Sequence, residues 1–531
     1  MKYFKEGDLK LYLTQALKRA VQIRANEIAT QDHDRIRTWS ESLERIKKLA
    51  GAMQKLGFKD NDRSAILSLN SDRYFEALYA AVWAGGIFVP INTRLAPPEI
   101  EFWLNDSESS LLFVDKVFAP VIEKSRSEGK IPSVKEIVYM SDDECPKNMH
   151  SYEKILLDAN DIEDALRSKD DIAGLFYTGG TTGRSKGVML SHTNLVSNSF
   201  NTITALNLPN DARWIHAAPM FHIADVTGAI AITHIAGQHY FIPSYTPEGV
   251  LKSVQDYKIT DTLLVPTMIN MLVHHPDINK YDLSSLRQIT YGASPMPESV
   301  IIKAMEVIPE CKFTHAYGMT ECAPLITAAG PDCHVFEGPK ANLFKSTGVA
   351  VPGVEVKIID ENDNEVPRGE VGEVAARGPN VMLGYWRQKE LTEKALLNGW
   401  MHTGDGGYMN EDGYVYIVDR VKDMIISGGE NIYSAEVENA IYQLEGVIEC
   451  AVIGIPNSEW GEAVHAIVRK DPDSSINEED VIAHSKNLIA GFKCPKSVSF
   501  RDDPMPLSGA GKILKTTLRE PFWEGHEKQV S

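Results

Sequence analysis

A chain of 531 residues is longer than one hydrophobic core usually supports, so at least two domains are expected. Its hydrophobic share of 43% and charged share of 24% are those of an ordinary soluble globular protein. The formal net charge of −19 argues against a nucleic-acid partner, which needs a basic footprint, but not against a local basic pocket for a small phosphate ligand.

Met1 to Thr30 mixes Lys, Glu and Asp without the apolar core of a secretory leader. No run approaches the about 18 apolar residues of a membrane span. The six cysteines (Cys145, Cys311, Cys322, Cys333, Cys450, Cys494) form no CxxC pair and fit reduced thiols in the cytoplasm. Cys311, Cys322 and Cys333 are evenly spaced, yet no clustered Cys or His ligands surround them, so a metal site is not expected there.

Leu43, Ile46, Leu49, Ala50, Met53 and Leu56 share a helical face that ends at Gly57. Ala65 to Leu69 reads as a buried strand, and Tyr74 to Trp83 as a helix closed by Gly85-Gly86. Ile87 to Ile91 and Leu111 to Val114 read as further strands. Such alternation implies parallel sheets covered on both faces.

The stretch Tyr177-Thr-Gly-Gly-Thr-Thr-Gly-Arg-Ser-Lys-Gly187 follows, between two apolar strand-like segments. Gly179, Gly180 and Gly183 let backbone N–H groups converge on an anion. Thr178, Thr181 and Thr182 add hydroxyls and Lys186 adds charge, so the loop reads as a phosphate cradle. It is not a Walker loop, because Lys186 follows Ser185 rather than glycine. Residues 211–231 concentrate Trp214, His216, Phe221, His222 and Asp225 among small residues. A second alternation runs from Leu251 to Ile289, with strands at Thr262 to Val265 and Arg287 to Thr290. Short β segments punctuated by Gly, Pro and Asp-Gly turns fill residues 348–418.

Beyond a boundary at 419–423, the remainder looks self-contained. Ser434 is expected to cap a helix bearing Val437, Ala440, Ile441 and Leu444. Strands at Val447 to Ile455 and Ala463 to Val468 and a helix from Glu478 to Leu488 follow, then a Pro/Gly/Ser loop carrying Lys512.

An ordered series of strings now stands along the chain. After the loop at 177–187 come Tyr317-Gly-Met-Thr-Glu321, Gly369-Glu-Val-Gly-Glu373, Arg377-Gly-Pro379 and Gly384-Tyr-Trp386. Trp400-Met-His-Thr-Gly-Asp405, the run from Asp419 to Asn431 and Gly511-Lys-Ile513 complete it. In this order the chain resembles an adenylate-forming (AMP-binding) acyl-CoA synthetase of the fatty-acid–CoA ligase type, from about residue 30 to residue 520. The resemblance implies an α/β fold: a large N-terminal domain of stacked α/β sheets (1–418, with a β-rich subdomain at 348–418), a hinge (419–423) and a small mobile α+β C-terminal domain (424–531).

It also implies ATP, CoA and Mg²⁺, a small-molecule carboxylic acid as substrate, and two half-reactions. Joining a carboxylate to AMP brings two anions together, so charges must be neutralised and the reacting atoms aligned. On this resemblance the loop at 177–187 grips the β/γ-phosphates, and Thr320 and Glu321 serve the α-phosphate and Mg²⁺. Tyr317, Gly318 and Met319 border the nucleotide, and Gly292, Ala293 and Ser294 form the adenine wall. Asp405 takes the ribose diol with Arg420 beside it. Lys512 is the catalytic lysine, Lys422 the hinge, and Gly428 and Gly429 the passage for the pantetheine arm. His222 matches an acyl-channel position, for which a packed core histidine is the rival reading, and Trp214 is a candidate wall. Glycine is frequent in the family where this chain has Asp225, and an acid there is expected to narrow or polarise the pocket. Gly180 and Ser185 depart from the frequent serine and proline of the loop.

The reading is a cytoplasmic ligase making acyl-CoA from a fatty or other small-to-medium carboxylate. A carrier-protein pantetheine as acceptor and a non-catalytic nucleotide-binding regulator are the alternatives, and a homodimer stays open as the oligomeric form.

Overall fold

The protein is described by a computed structural model at residues 11–178, 185–294, 296–420, 423–427, 430–457, 460–508 and 512–524, with backbone alone at 419, 420, 430 and 431. Its fold is mixed α/β, with a large N-terminal and a small C-terminal part.

Two large sheets carry the N-terminal part. In the eight-stranded sheet, Ile87–Pro90, Arg63–Leu67, Ser109–Val114 and Glu136–Tyr139 run parallel, and Ile172–Thr178 joins Ile87–Pro90 in the same direction. In the nine-stranded sheet, Gln238–Phe241, Arg213–His216, Asp261–Leu264, Gln288–Gly292 and Lys312–Gly318 run parallel. Several strands begin or end one or two residues from their expected bounds, as pairing rather than hydrophobicity sets the ends. Arg63 and Ser64, for example, pair with Ile87 and Phe88 although neither is apolar.

Helices fill the space between the sheets. Trp39–Lys55 starts with a capping box, in which Glu41 N–H donates to Thr38 Oγ1 and the Glu41 carboxylate accepts from Thr38 N–H. It buries the predicted face through Ile46, Leu49, Ala50 and Met53. In Asp72–Trp83 all 12 residues are buried, as expected of a helix enclosed on every side. Its charges are paired there: Asp72 with Arg35 at 2.8 Å and Glu76 with Arg45 at 2.6 Å. The second inner helix, Ile223–Ile235, buries every residue but Ala224. Phe75 of the first helix packs on His239 of the nine-stranded sheet, with ring centroids 4.7 Å apart, which ties one sheet's helix layer to the other sheet.

Within 348–418, Glu355–Ile359, Gly372–Arg377, Leu396–Leu397, Trp400–Met409 and Val415–Arg420 form an antiparallel sheet. This region is interlocked with both large sheets. Val349–Ala350 pairs with Leu325–Ala329, and Gly384–Tyr385 pairs with Lys186–Ser191.

The C-terminal part has its own sheet, built on Val447–Asn457 and Gly461–Lys470, and its own core of Ile425, Ile432, Val437, Ile441, Val452 and Val464. Ser434 does not cap its helix. It is the first residue of Ser434–Tyr442, buried, and its hydroxyl receives the Lys515 ammonium instead. No helix among the described residues is long and apolar enough to cross a membrane.

Candidate active site

Ile172–Thr178 and Lys186–Ser191 pair antiparallel as a hairpin, with Thr178 opposite Lys186. Gly179, Gly180, Thr181, Thr182 and Gly183 lie outside the described residues. The hairpin's far strand pairs with Gly384–Tyr385, which sets Tyr385 opposite Val188. The Lys186 ammonium lies 5.1 Å from the Tyr385 ring centroid, and the Tyr385 hydroxyl donates to Glu321 Oε1 across 2.8 Å. Burial, then the Glu321 charge, raises the Tyr385 phenol above its ordinary range, so it stays a donor.

Glu321 sits on the short turn Thr320–Cys322 that follows Lys312–Gly318. Gly318 is required there, since a Cβ would overlap the Pro324 carbonyl. Buried asparagines clamp the turn. Asn380 Nδ2 donates to the carbonyls of Cys322 (2.8 Å) and Leu325 (2.9 Å), while Asn198 Oδ1 accepts from Leu325 N–H (3.0 Å). Asn194 Nδ2 in turn reaches the Pro379 and Val381 carbonyls, and Met382 N–H donates to the Glu321 carbonyl across 2.8 Å. A buried network with this many bonds to one short turn restricts its geometry.

Asp405 lies within Trp400–Met409, 6% exposed against 7% for Glu321, so both carboxylates are held largely out of water. Its Oδ2 accepts from the Tyr317 hydroxyl across 2.8 Å, and its N–H donates to Thr403 Oγ1. Burial, then Asp405, raises the Tyr317 phenol well above its usual range. The Arg420 backbone pairs opposite Asp405; the Arg420 side chain lies outside the described residues.

Gly292, at the end of Gln288–Gly292, stands opposite Ala316, whose carbonyl a Cβ would overlap. Ala293 follows at φ +69°, so Gly292, Ala293 and Ser294 turn sharply beside Tyr317, Gly318 and Met319 at the end of the neighbouring strand.

His222 caps the inner helix Ile223–Ile235: its Nδ1 accepts from Ala224 N–H across 3.3 Å. The proton of the neutral ring is then on Nε2. Burial, and then the nearby Lys512 ammonium, pushes the imidazole down to about 4, so at neutral pH it offers an N–H donor. Lys512 arrives on a C-terminal hairpin in which Leu507 bridges Ile513. Ser508 N–H donates to the Lys512 carbonyl (2.7 Å), and Lys512 N–H donates to Ser508 Oγ (3.1 Å).

Two expectations for the acyl side change. Asp225 Oδ2 lies 2.6 Å from His216 Nδ1, both wholly buried, and His216 Nε2 meets His239 Nδ1 at 3.0 Å. The acid is thus taken up by a buried histidine pair on the sheet, because the start of the helix packs directly over Arg213–His216. Trp214 is 1% exposed and packed with Leu206, Leu208 and Ile232 against Gly228, where a Cβ would come within 2.8 Å of its ring. It is a core residue in this arrangement. Lys422, Gly428 and Gly429 lie outside the described residues.

Sequence reasoning missed Tyr385, the three clamping asparagines and Asn70. Asn70 Nδ2 donates to the carbonyls of His216 and Ala218, and its Oδ1 accepts from Met220 N–H, fixing the approach to His222. Tyr385 did stand within a recognised string, Gly384-Tyr-Trp386. Nothing local marked the asparagines.

The AMP-binding enzyme family model matches residues 17–386, and the AMP-binding enzyme C-terminal domain model matches residues 436–512. The feruloyl-CoA synthase of Amycolatopsis sp is 37% identical over 486 residues, covering 91% of this chain and 94% of its own length. The long-chain-fatty-acid–CoA ligase of Escherichia coli O6:H1 is 33% identical over 540 residues, covering 96% and 94%. Among solved structures, ATP-bound MatB from Rhodopseudomonas palustris superposes with a TM-score of 0.85 at 29% identity, covering 97% of this chain and 100% of that one.

Proposed function

The chain belongs to the AMP-binding enzyme family, as an AMP-forming acid–thiol ligase, and from that premise we propose that it is an ATP-dependent acid–CoA ligase. In the first half-reaction a carboxylate oxygen attacks the α-phosphorus of ATP and the bond to pyrophosphate breaks. In the second, the CoA sulfur attacks the acyl carbon, the bond to AMP breaks and the thiol proton leaves to solvent.

What supports this reading is that the Lys512 ammonium, on the C-terminal hairpin, is near enough to His222 at the start of the inner helix to help push its imidazole down. Lys512 brings an ammonium and His222 a neutral N–H donor to this region, and such groups would stabilise charge as it builds in the transition state. Thr178 and Lys186, flanking the loop of Gly179, Gly180, Thr181, Thr182 and Gly183, would take the β/γ-phosphates. Asp405, oriented by Tyr317, would accept the ribose diol with Arg420 beside it, and Gly292, Ala293 and Ser294 would admit the adenine. Lys422 would serve as hinge, and Gly428 and Gly429 would line the pantetheine path.

The Glu321 carboxylate and Thr320 hydroxyl are hard oxygen donors, which fits the one or two protein oxygens that Mg²⁺ takes alongside phosphates. Bound there, the ion would neutralise phosphate charge. Tyr385 orients the carboxylate for that task.

The acid is a fatty, aromatic or other small-to-medium carboxylate, and six free thiols fit a cytoplasmic enzyme. The test is pyrophosphate release, with ATP, Mg²⁺ and CoA, across short, medium, long, aromatic and sulfur-containing acids. Release with at least one class is expected, together with its CoA thioester. Silence across all of them with ATP still bound would leave a nucleotide-binding regulator, and adenylation without thioester would point to a carrier-protein acceptor.

A further inference from the structure

Arg94 Nη1 donates to the Ser508 carbonyl across 3.1 Å, joining residues 414 positions apart. On one side Arg94 stands on a stiff support. Its own N–H donates to Asn92 Oδ1 (2.9 Å), Leu95 N–H donates to the Asn92 carbonyl (3.3 Å), and the helix Pro97–Asp106 starts three residues later with two prolines. On the other side Ser508 carries the two bonds nearest Lys512 in its hairpin, which Leu514 N–H closes further out by donating to the Pro506 carbonyl (2.8 Å). Arg94, Ser508 and the Lys512 backbone are therefore coupled in series.

We propose that Arg94 is a positioning residue that latches the Lys512 hairpin against the segment 92–94 of the N-terminal part for adenylation and releases it for the thioester step. The inference rests on Lys512 serving adenylation, as read above. A guanidinium suits this task, because it presents several donors in a fixed plane and keeps its charge at any working pH. The bond lies at the surface, where water competes for both partners, so it biases the hairpin's position by about twofold to tenfold rather than locking it. A latch that must open in every turnover needs that weakness.

The test measures the two half-reactions separately in the full-length enzyme: pyrophosphate exchange for adenylation, and CoA thioester formation from purified acyl-AMP. Arg94→Gln is expected to lower kcat for adenylation about twofold to tenfold, leave KM for ATP and acid unchanged, and keep or raise the thioester rate. Arg94→Lys, with one compact donor group, should recover part of the loss. The intact thioester half shows that the variant is folded. The latch is overturned if adenylation by Arg94→Gln runs at the wild-type rate, if the loss appears as a raised KM, or if the thioester half falls as much or more. Lys512→Ala run alongside separates the two levels. Were it to adenylate normally, the lysine assignment would fall; were it inactive while Arg94→Gln is unchanged, only the latch would.

Discussion

The hydroxyl of Tyr385 donates to Glu321 Oε1 across 2.8 Å, while the face of the same ring receives the Lys186 ammonium at 5.1 Å from its centroid. One side chain thereby ties the lysine end of the phosphate hairpin to the carboxylate proposed for Mg²⁺. Tyr385→Phe keeps the ring and the lysine contact but removes the hydrogen bond to the carboxylate. A hydrogen bond to a charged group is worth about 1.5–3 kcal/mol, so adenylation should slow about tenfold to a hundredfold, with more Mg²⁺ needed for half-maximal rate. Pyrophosphate exchange over a Mg²⁺ titration measures both, and an unchanged Mg²⁺ dependence would count against Glu321 as the ligand.

Lys512→Ala should lower acyl-AMP formation by about a hundredfold or more, as expected when a donor aimed at developing charge is removed. A supplied acyl-adenylate should still become thioester, since the lysine belongs to the first step alone. Adenylate formation at the wild-type rate would remove Lys512 from the chemistry. The same substitution takes away the charge that helps depress His222, so the His222 imidazole should titrate higher in the variant, which NMR of labelled histidine can follow.

What could be read along the chain was whatever is local. The two strands flanking the loop at 177–187 were legible because each is an apolar run, though not their antiparallel pairing, and the helix from Leu43 because its stripe has the helical period. Tyr317 and Asp405 were each marked by their own strings, but the bond between them spans 88 residues and depends on the small sheet docking against the large one. Asp225 shows the limit most clearly. Its neighbours in sequence suggested an acid facing the acyl pocket, and the partner that claims it, His216, sits on the strand below the helix. Ser434 had the side chain of a cap, yet the Lys515 ammonium competes for its oxygen from a distant helix. Asn198 and Asn380 gave no signal, because a buried asparagine is distinguished only by the carbonyls around it.

Buried histidines predict how stability varies with pH. His192, wholly buried, accepts from Leu13 N–H on Nδ1 and is pushed down to about 4 by burial; His234 is pushed to about 4 by the same cause, and His239 well below its usual range. Each is protonated in the unfolded chain below about 6.5 but not in the fold, so the unfolded state binds more protons and stability falls as pH drops from 6.5 towards 4. Asp32 acts in the opposite sense. Burial and then Asp72 raise it to about 6, so the fold takes up that proton first and gains stability as pH falls through this value. His222 and His315, also held at about 4 chiefly by burial, act in the same sense, so the histidines outweigh the one aspartate and a net loss of stability is expected between pH 6.5 and 5. Urea denaturation across that range measures it, and a flat or rising profile towards pH 5 would contradict the assignment.

Asn70 tests whether the approach to His222 is set by hydrogen bonds or by packing. Its amide donates twice, to the His216 and Ala218 carbonyls, and its carbonyl oxygen accepts from Met220 N–H, so all three bonds fall on the segment leading to His222. Asn70→Asp keeps the volume and the acceptor but turns a buried carboxylate oxygen towards two carbonyl oxygens. Each unsatisfied buried group costs about 1–3 kcal/mol, and the charge adds to that, so a loss of about 3–5 kcal/mol is expected, at least as large as for Asn70→Ala. Packing alone would rank them the other way, since alanine leaves the larger cavity. If the bonds decide, the fraction of Asn70→Ala that stays folded should adenylate slowly, with His222 displaced, while its thioester step from supplied acyl-AMP is less affected. Denaturation midpoints of both variants, with the two half-reactions measured on the folded protein, separate the cases; a more stable Asn70→Asp than Asn70→Ala would show that the side chain acts by filling space.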